Sequence, residues 1–138
     1  MRIKSFLALA GVPALVCMMA STSWAHHAFS AEFDANSPVE IKGTVTRMEW
    51  INPHSWIHID VVNDSGEVEE WMVEGGAPNA ILRRGFTADS LKPGTVILVE
   101  GYRARDGSNR ANGRDITFED GTKLFVGAGS RGAPDGRD

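Results

Sequence analysis

The sequence predicts an all-β fold with one short helix, an OB-like five-stranded Greek-key barrel in which the helix lies between strands three and four. Runs rich in Val, Ile, Thr and Trp show the patterning of strands, and Gly, Asn, Asp and Pro separate them. Three such runs precede a short helical pattern and two or three follow it, which is the element order of this barrel. A β-sandwich is the alternative, but it normally needs about seven strands.

The first strand is predicted from Val39 to Trp50, with an irregularity inside it. Val39 and Val45 share one face of the strand, whereas Met48 and Trp50 place apolar side chains on the opposite parity. A parity switch within a strand is what a β-bulge produces, and Gly43 gives room for a sharp bend. We therefore expect a long, bent first strand.

The later elements follow from alternation and turn residues. A helix is predicted over residues 77–84, with Pro in its first turn, Gly85 just past its end, and Ile81 and Leu82 facing the sheet. The carboxylates of strand three, Glu69, Glu70 and Glu74, are assigned to its solvent face. The remaining predictions are strands at 55–62, 67–74, 95–103, 115–118 and 123–126, turns at 63–66 and 119–122, and a polar loop at 106–114.

The first 25 residues have the three parts of a signal peptide. Arg2 and Lys4 form a basic region, residues 6–20 are apolar, and Ser23 and Ala25 are small residues at the positions that precede a cleavage site. We therefore expect cleavage after Ala25 and a periplasmic or secreted protein. The apolar run is shorter than the roughly 20 residues that a membrane span needs, so no membrane span is expected.

The chain beyond the leader is predicted to form one domain. It comprises an N-terminal segment at 26–38, the barrel at 39–126 and a disordered Gly-rich tail at 127–138. The leader holds two basic residues and no acidic one, so its removal changes the formal charge from −4 to −6. Such an acidic domain is a poor partner for nucleic acid. The single cysteine, Cys17, lies in the leader, which excludes disulfides and thiol metal ligands from the domain.

Two of the four histidines lie in the second predicted strand and the turn before it. The alternation of a strand places His54, Trp56, His58 and Asp60 on one face, while the apolar residues between them point toward the core. The stretch that contains them, residues 43–62, therefore combines a core face with a face that carries metal-binding chemistry.

Copper-type metal binding is the main functional hypothesis. Cleavage after Ala25 would expose His26, whose α-amine and imidazole can bind the same Cu(II) ion. His27 or His54 would supply a third nitrogen, and His58 or Asp60 would be a further ligand or an outer contact. Solvated histidines at a flexible terminus and a turn-capping His54 are the ordinary alternative to this copper site.

The alternative function is a non-metal module that binds a small molecule, a peptide or a protein partner. Trp56 shares the histidine face, and arginines of the polar loop could cradle an anion together with backbone amides. A solvated loop is the ordinary explanation of these arginines. The ligand-binding candidates are Trp56, Asp60, Arg103, Arg105 and Arg110.

No catalytic residue is predicted, and an enzyme is the third hypothesis. Beyond the leader the sequence contains no cysteine nucleophile, no Gly-x-Ser-x-Gly elbow, no phosphate-binding loop and no His-Glu-x-x-His zinc helix. The oligomeric state is left open.

Several short motifs resemble those of one protein family. They are His-His-Ala-Phe at 26–29, Glu-Trp-x-Asn-Pro-His at 49–54 and Glu-Gly-Gly-x-Pro-Asn at 74–79, with Leu-Arg-Arg-Gly, Leu-Lys-Pro-Gly and Asp-Gly-Ser-Asn-Arg-Ala-Asn-Gly motifs further along. The chain resembles an uncharacterised family of small exported bacterial proteins across nearly all of the predicted domain. The resemblance implies export and family membership, and it carries no established activity.

Overall fold

The computed structural model describes residues 29–127 of the chain. The described part is mostly β, as predicted, and its short helix lies between the third and fourth strands. Its elements are β1 (Phe33–Glu49), β2 (Trp56–Val62), β3 (Val68–Glu74), α1 (Pro78–Leu82), β4 (Val96–Ala104), β5 (Arg110–Phe118) and β6 (Lys123–Phe125). The predicted signal peptide, His26, His27 and nearly all of the predicted tail lie outside the described residues. Within 29–127, no helix has the length and apolar character to cross a membrane.

The six strands pair in the order β3-β2-β1-β4-β5-β6, and every neighbouring pair is antiparallel. A parallel pairing of β3 with β5 joins Met72–Glu74 to Arg110–Asn112 and closes five of the strands into a ring. β6 pairs with the second half of β5, outside this ring. The barrel was predicted with five strands, whereas the sheet of the described chain has six. The difference arises because β5 pairs with β3 at its start and with β6 at its end.

β1 is long and irregular, as predicted. Its register against β2 shifts between Val45 and Arg47, which confirms the bulge inferred from the parity switch. It begins at Phe33, six residues before the predicted start at Val39. A Cβ atom on Gly43 would lie 2.8 Å from the carbonyl oxygen of Asp60, so the close approach of β2 requires glycine there.

The core lies inside the ring and is built from the predicted inward faces. Ile57, Ile59 and Val73 are almost completely buried there, and Ile81 of α1 is 1% exposed. The prediction that Leu82 also faces the sheet is wrong, since 43% of this residue is exposed. α1 makes little more than one turn, so only a narrow stripe of it can contact the core.

β5 begins inside the segment that was predicted to be a polar loop. Residues 110–114 belong to the strand, and Ala111 at its start is fully buried. A Cβ atom on Gly113 would lie 2.7 Å from Cγ1 of Val73, so glycine allows β5 to pass close to β3. The prediction failed because this half of β5 contains small and polar residues, although its backbone is paired on both sides.

The start of the described chain packs on the outside of the sheet. Residues 29–32 are helical, and the ring of Phe29 lies 5.9 Å from that of Phe33 and 5.8 Å, edge to face, from that of Tyr102. The backbone amide of Arg105 donates to the carbonyl of Glu32 at 2.9 Å. Residues 29–32 thus form a short helical turn that aromatic contacts and one backbone hydrogen bond attach to β4.

Candidate functional site

Four side chains form a row across the outer face of the sheet. Trp56 of β2 is paired with Glu74 of β3, Glu74 with Asn112 of β5, and Asn112 with Tyr102 of β4. Neighbouring strands lie about 4.8 Å apart, so the row is roughly 15 Å long. It connects the corner between β1 and β2 with the aromatic residues that hold the start of the described chain.

Glu74 is a buried carboxylate at the centre of this row. It is only 6% exposed, and its Oε2 accepts a hydrogen bond from Nδ2 of Asn112 at 3.1 Å. Its other oxygen, Oε1, contacts Nδ1 of His54, whose side chain is 41% exposed. The assignment of Glu74 to the solvent face is therefore wrong, and its partners explain why a carboxylate is tolerated in this position.

The backbone around Glu74 fixes the loop that carries His54. Ser55 is completely buried, and its hydroxyl donates to the carbonyl of Gly76 at 2.9 Å. The amide of Gly75 donates in turn to the carbonyl of Ser55 at 2.8 Å, and a Cβ atom on Gly75 would lie 2.7 Å from Oγ of Ser55. Gly75 thus allows the β1–β2 loop to dock on the end of β3, which holds His54 beside Glu74.

His58 occupies a different position, although it shares a strand face with Trp56. It is 2% exposed, and its Nε2 and Nδ1 lie 3.0 Å from carboxylate oxygens of Glu49 and Glu70 respectively. Nη2 of Arg47 also lies 3.0 and 3.2 Å from the two ring nitrogens. Both nitrogens of His58 therefore have partners within the sheet, and His54 and His58 share no partner among residues 29–127. Asp60, further along the same strand, is exposed.

Two of the three candidate arginines hold the start of the described chain. Nε of Arg105 donates to the carbonyl of Phe33 at 3.0 Å. Arg110 forms an ion pair with Glu32 at 3.0 Å, and its guanidinium lies 5.3 Å from the centre of the Trp56 ring. Both arginines therefore join residues 32 and 33 to the outer face, beside the row that contains Glu74.

Arg103 lies apart from these two arginines, at the end of the ring. Its guanidinium lies 5.2 Å from the centre of the Trp71 ring, and Nη2 donates to the carbonyl of Gly107 at 3.2 Å. In the adjoining loop, hydrogen bonds from the hydroxyl and then the backbone amide of Ser108 lower the pKa of the exposed Asp106. The structure therefore brings Arg105 and Arg110 together on one segment and leaves Arg103 elsewhere.

The described residues do not form a metal centre by themselves. Among residues 29–127, no group of three or more His, Cys, Asp or Glu side chains is placed to hold a metal ion. Of the predicted metal ligands, His54 and His58 lie within the described residues and share no partner there, whereas His26 and His27 precede the described chain. Sequence reasoning missed Asn112, whose only signal is its position in the Asp-Gly-Ser-Asn-Arg-Ala-Asn-Gly motif.

These observations define a mostly-β protein with a ring-like sheet and a carboxylate–imidazole pair at the corner between its first two strands. The chain belongs to DUF6152, a family of unknown function whose profile matches residues 14–113. The expected membership of an uncharacterised family is thereby confirmed. Comparison with curated proteins gives no significant match.

Proposed function

We propose that the protein is an exported, periplasmic module that binds a copper-type metal ion through His26, His27 and His54. We also propose that the fold of this module is an OB-like barrel. The order of three strands, a helix and further strands supports that assignment, as does the parallel β3–β5 closure. The observation that carries the function is the pairing of His54 with the buried carboxylate of Glu74.

The Glu74–His54 pair has the arrangement of a supported metal ligand. A metal-binding histidine commonly donates its second ring N–H to a carboxylate, which fixes the orientation of the ring and raises its basicity. Glu74 contacts Nδ1 of His54, so Nε2 is the nitrogen that can bind a metal. Asn112 holds Glu74 in turn, and 41% of the His54 side chain is exposed, where an ion can reach it.

The contacts of Phe29 support the approach of the histidine-bearing terminus to His54. Phe29 packs against Tyr102, which is two strands away from Glu74 along the outer row, a distance of about 10 Å. Residues 26–28 can span up to about 10 Å in extended form. A terminus at residue 26 therefore has enough chain to bring its amine and imidazole to the ring of His54.

The chemistry of these ligands favours Cu(II) among divalent ions. An α-amine and imidazoles supply nitrogen donors in a tetragonal or T-shaped set, and Cu(II) is the strongest binder in the divalent series. Signal cleavage after Ala25 would create the amine ligand only in the exported protein. His58 is not needed for this set, because Glu49 and Glu70 already occupy its two ring nitrogens.

Copper titration tests the proposal. Protein is produced from the full-length chain without a tag, and mass spectrometry identifies its N-terminus. We expect stoichiometric Cu(II) binding, weakened at least about tenfold in His26→Ala and in His54→Ala, since each change removes a ligand. Asp64→Ala is the control, because it removes an exposed carboxylate from the turn after β2, and it should bind as the unmodified protein does. Equal, weak binding in all four proteins would refute copper binding at this site.

A further inference from the structure

Two buried hydrogen-bond donors lie together at the end of the ring, away from the Glu74–His54 pair. They are Nε1 of Trp71 and Nε of Arg103, and neither has an acceptor among the described residues. Trp71 is 7% exposed and belongs to the core, and the guanidinium of Arg103 lies 5.2 Å from the centre of its ring. The same end of the ring therefore holds a positive charge and two N–H groups, on Arg103 and Trp71, that have no acceptor among the described residues.

The lack of an acceptor is energetically costly. A buried donor without a partner has given up its hydrogen bonds to water, and folded proteins contain few of them. The neighbouring arginines on the same strands and loop are neutralised, Arg105 by Asp34, Arg110 by Glu32 and Arg114 by Asp115. Arg103 has no carboxylate within ion-pair distance among residues 29–127. Within the described chain, Arg103 is thus the arginine of this group that has no ion-pair partner.

The position of Arg103 gives an anion a route to it. Arg103 is only partly buried, and its Nη2 is tied to the carbonyl of Gly107 in an exposed loop. Gly107 has a φ angle of 76°, and no atom lies within 4 Å of the position of an added Cβ, so the space beside this residue is open. An oxyanion that approaches past this loop would reach the guanidinium of Arg103, which lies 5.2 Å from the centre of the Trp71 ring.

We propose that Arg103 and Trp71 form a binding site for a small oxyanion, a carboxylate or a phosphate group, at this end of the ring. The guanidinium supplies charge-assisted hydrogen bonds and the indole N–H supplies a neutral one, which together favour an anionic oxygen over a neutral acceptor. The site is independent of the copper site, because it uses none of the histidines and lies on the inner side of the sheet.

Nuclear magnetic resonance of the Trp71 indole N–H tests the site. The full-length chain is produced as for the copper experiment, labelled with ¹⁵N, and titrated with inorganic phosphate and separately with acetate at constant ionic strength. Trp71→Phe identifies the indole signal by its disappearance. We expect a saturable shift of this signal with at least one anion, while the signals of Trp50 and Trp56 stay in place.

Two arginine variants separate a specific site from general screening. Arg103→Gln should weaken the anion affinity about ten- to a hundredfold, which corresponds to the loss of a hydrogen bond to a charged group. Arg83→Gln removes the same charge from an exposed position and should leave the titration unchanged. If Arg103→Gln folds poorly, Arg103→Lys takes its place in the experiment. This variant keeps the charge but lacks the Nε donor, and it should bind the anion with intermediate affinity. The proposal is overturned if neither anion shifts the Trp71 signal, or if Arg103→Gln responds as the unmodified protein does.

Discussion

Replacement of Gly101 with alanine is expected to lower the free energy of unfolding by about 3 kcal/mol, the upper end of what overpacking usually costs. A Cβ atom at this position would lie 2.1 Å from the carbonyl oxygen of Asn112 and 3.2 Å from Cα of Gly113. Both contacts are with backbone atoms of β5, which cannot move aside as a side-chain tip can. Urea unfolding monitored by tryptophan fluorescence measures the loss.

Gly107→Ala is the matched control for this substitution. Gly107 has a φ angle of 76°, but no atom lies within 4 Å of the position of an added Cβ. Gly107→Ala should therefore lower the free energy of unfolding only by the cost of placing alanine in a left-handed backbone conformation, about 1 kcal/mol. The close packing of β4 on β5 would be contradicted by equal losses in the two variants. Because Gly101 lies against Asn112, the same packing supports the residue that holds Glu74.

The second large effect concerns Glu74 itself. Glu74→Ala should reduce copper affinity ten- to a hundredfold, the usual result of removing the carboxylate that supports a histidine ligand. It should also lower the free energy of unfolding by about 2 kcal/mol, because the buried amide of Asn112 loses its acceptor. Copper titration and urea unfolding of the same samples measure the two effects.

Two further variants are compared with Glu74→Ala to separate the loss of the metal-ligand support from a general effect of removing a charge. Glu40→Ala removes the same charge from an exposed position on β1 and should change neither quantity. Glu74→Gln keeps an oxygen that can accept from His54 and should retain more copper affinity than Glu74→Ala. If Glu74→Ala lost stability but bound copper normally, Glu74 would support the fold and not the metal ligand.

Much of the fold was predictable because its strands carry regular apolar patterns. The parity switch between Val45 and Met48 located the bulge of β1. The turn signatures at 63–66 and 119–122 contain Gly66 and Gly121, whose φ angles are 83° and 84°. The first half of β5 was missed because nothing in its side chains distinguishes it from a loop. Residues 110–113 become a strand through backbone pairing with two neighbours, which no local pattern records.

The partly exposed residues of the candidate site were predictable from the sequence, whereas the buried residues that support them were not. His54 and the strand face it shares with Trp56 follow from spacing, but spacing also grouped His58 with them, and the structure gives His58 other partners. The Glu74–Asn112 hydrogen bond joins residues 38 positions apart, so it depends on the register of β3 against β5. Register between distant strands is a property of the whole sheet, and it decides which polar residues are buried together.

Paramagnetic broadening by Cu(II) tests the central claim most directly, namely that the processed terminus and the β1–β2 corner bind one ion. Substoichiometric Cu(II) is added to ¹⁵N-labelled protein, and the loss of amide signals is mapped along the chain. We predict that the signals of His54, Ser55, Gly75 and Gly76 broaden together with those at the start of the mature chain. Broadening confined to the terminal residues, with the amides of the corner unaffected, would contradict the proposed site.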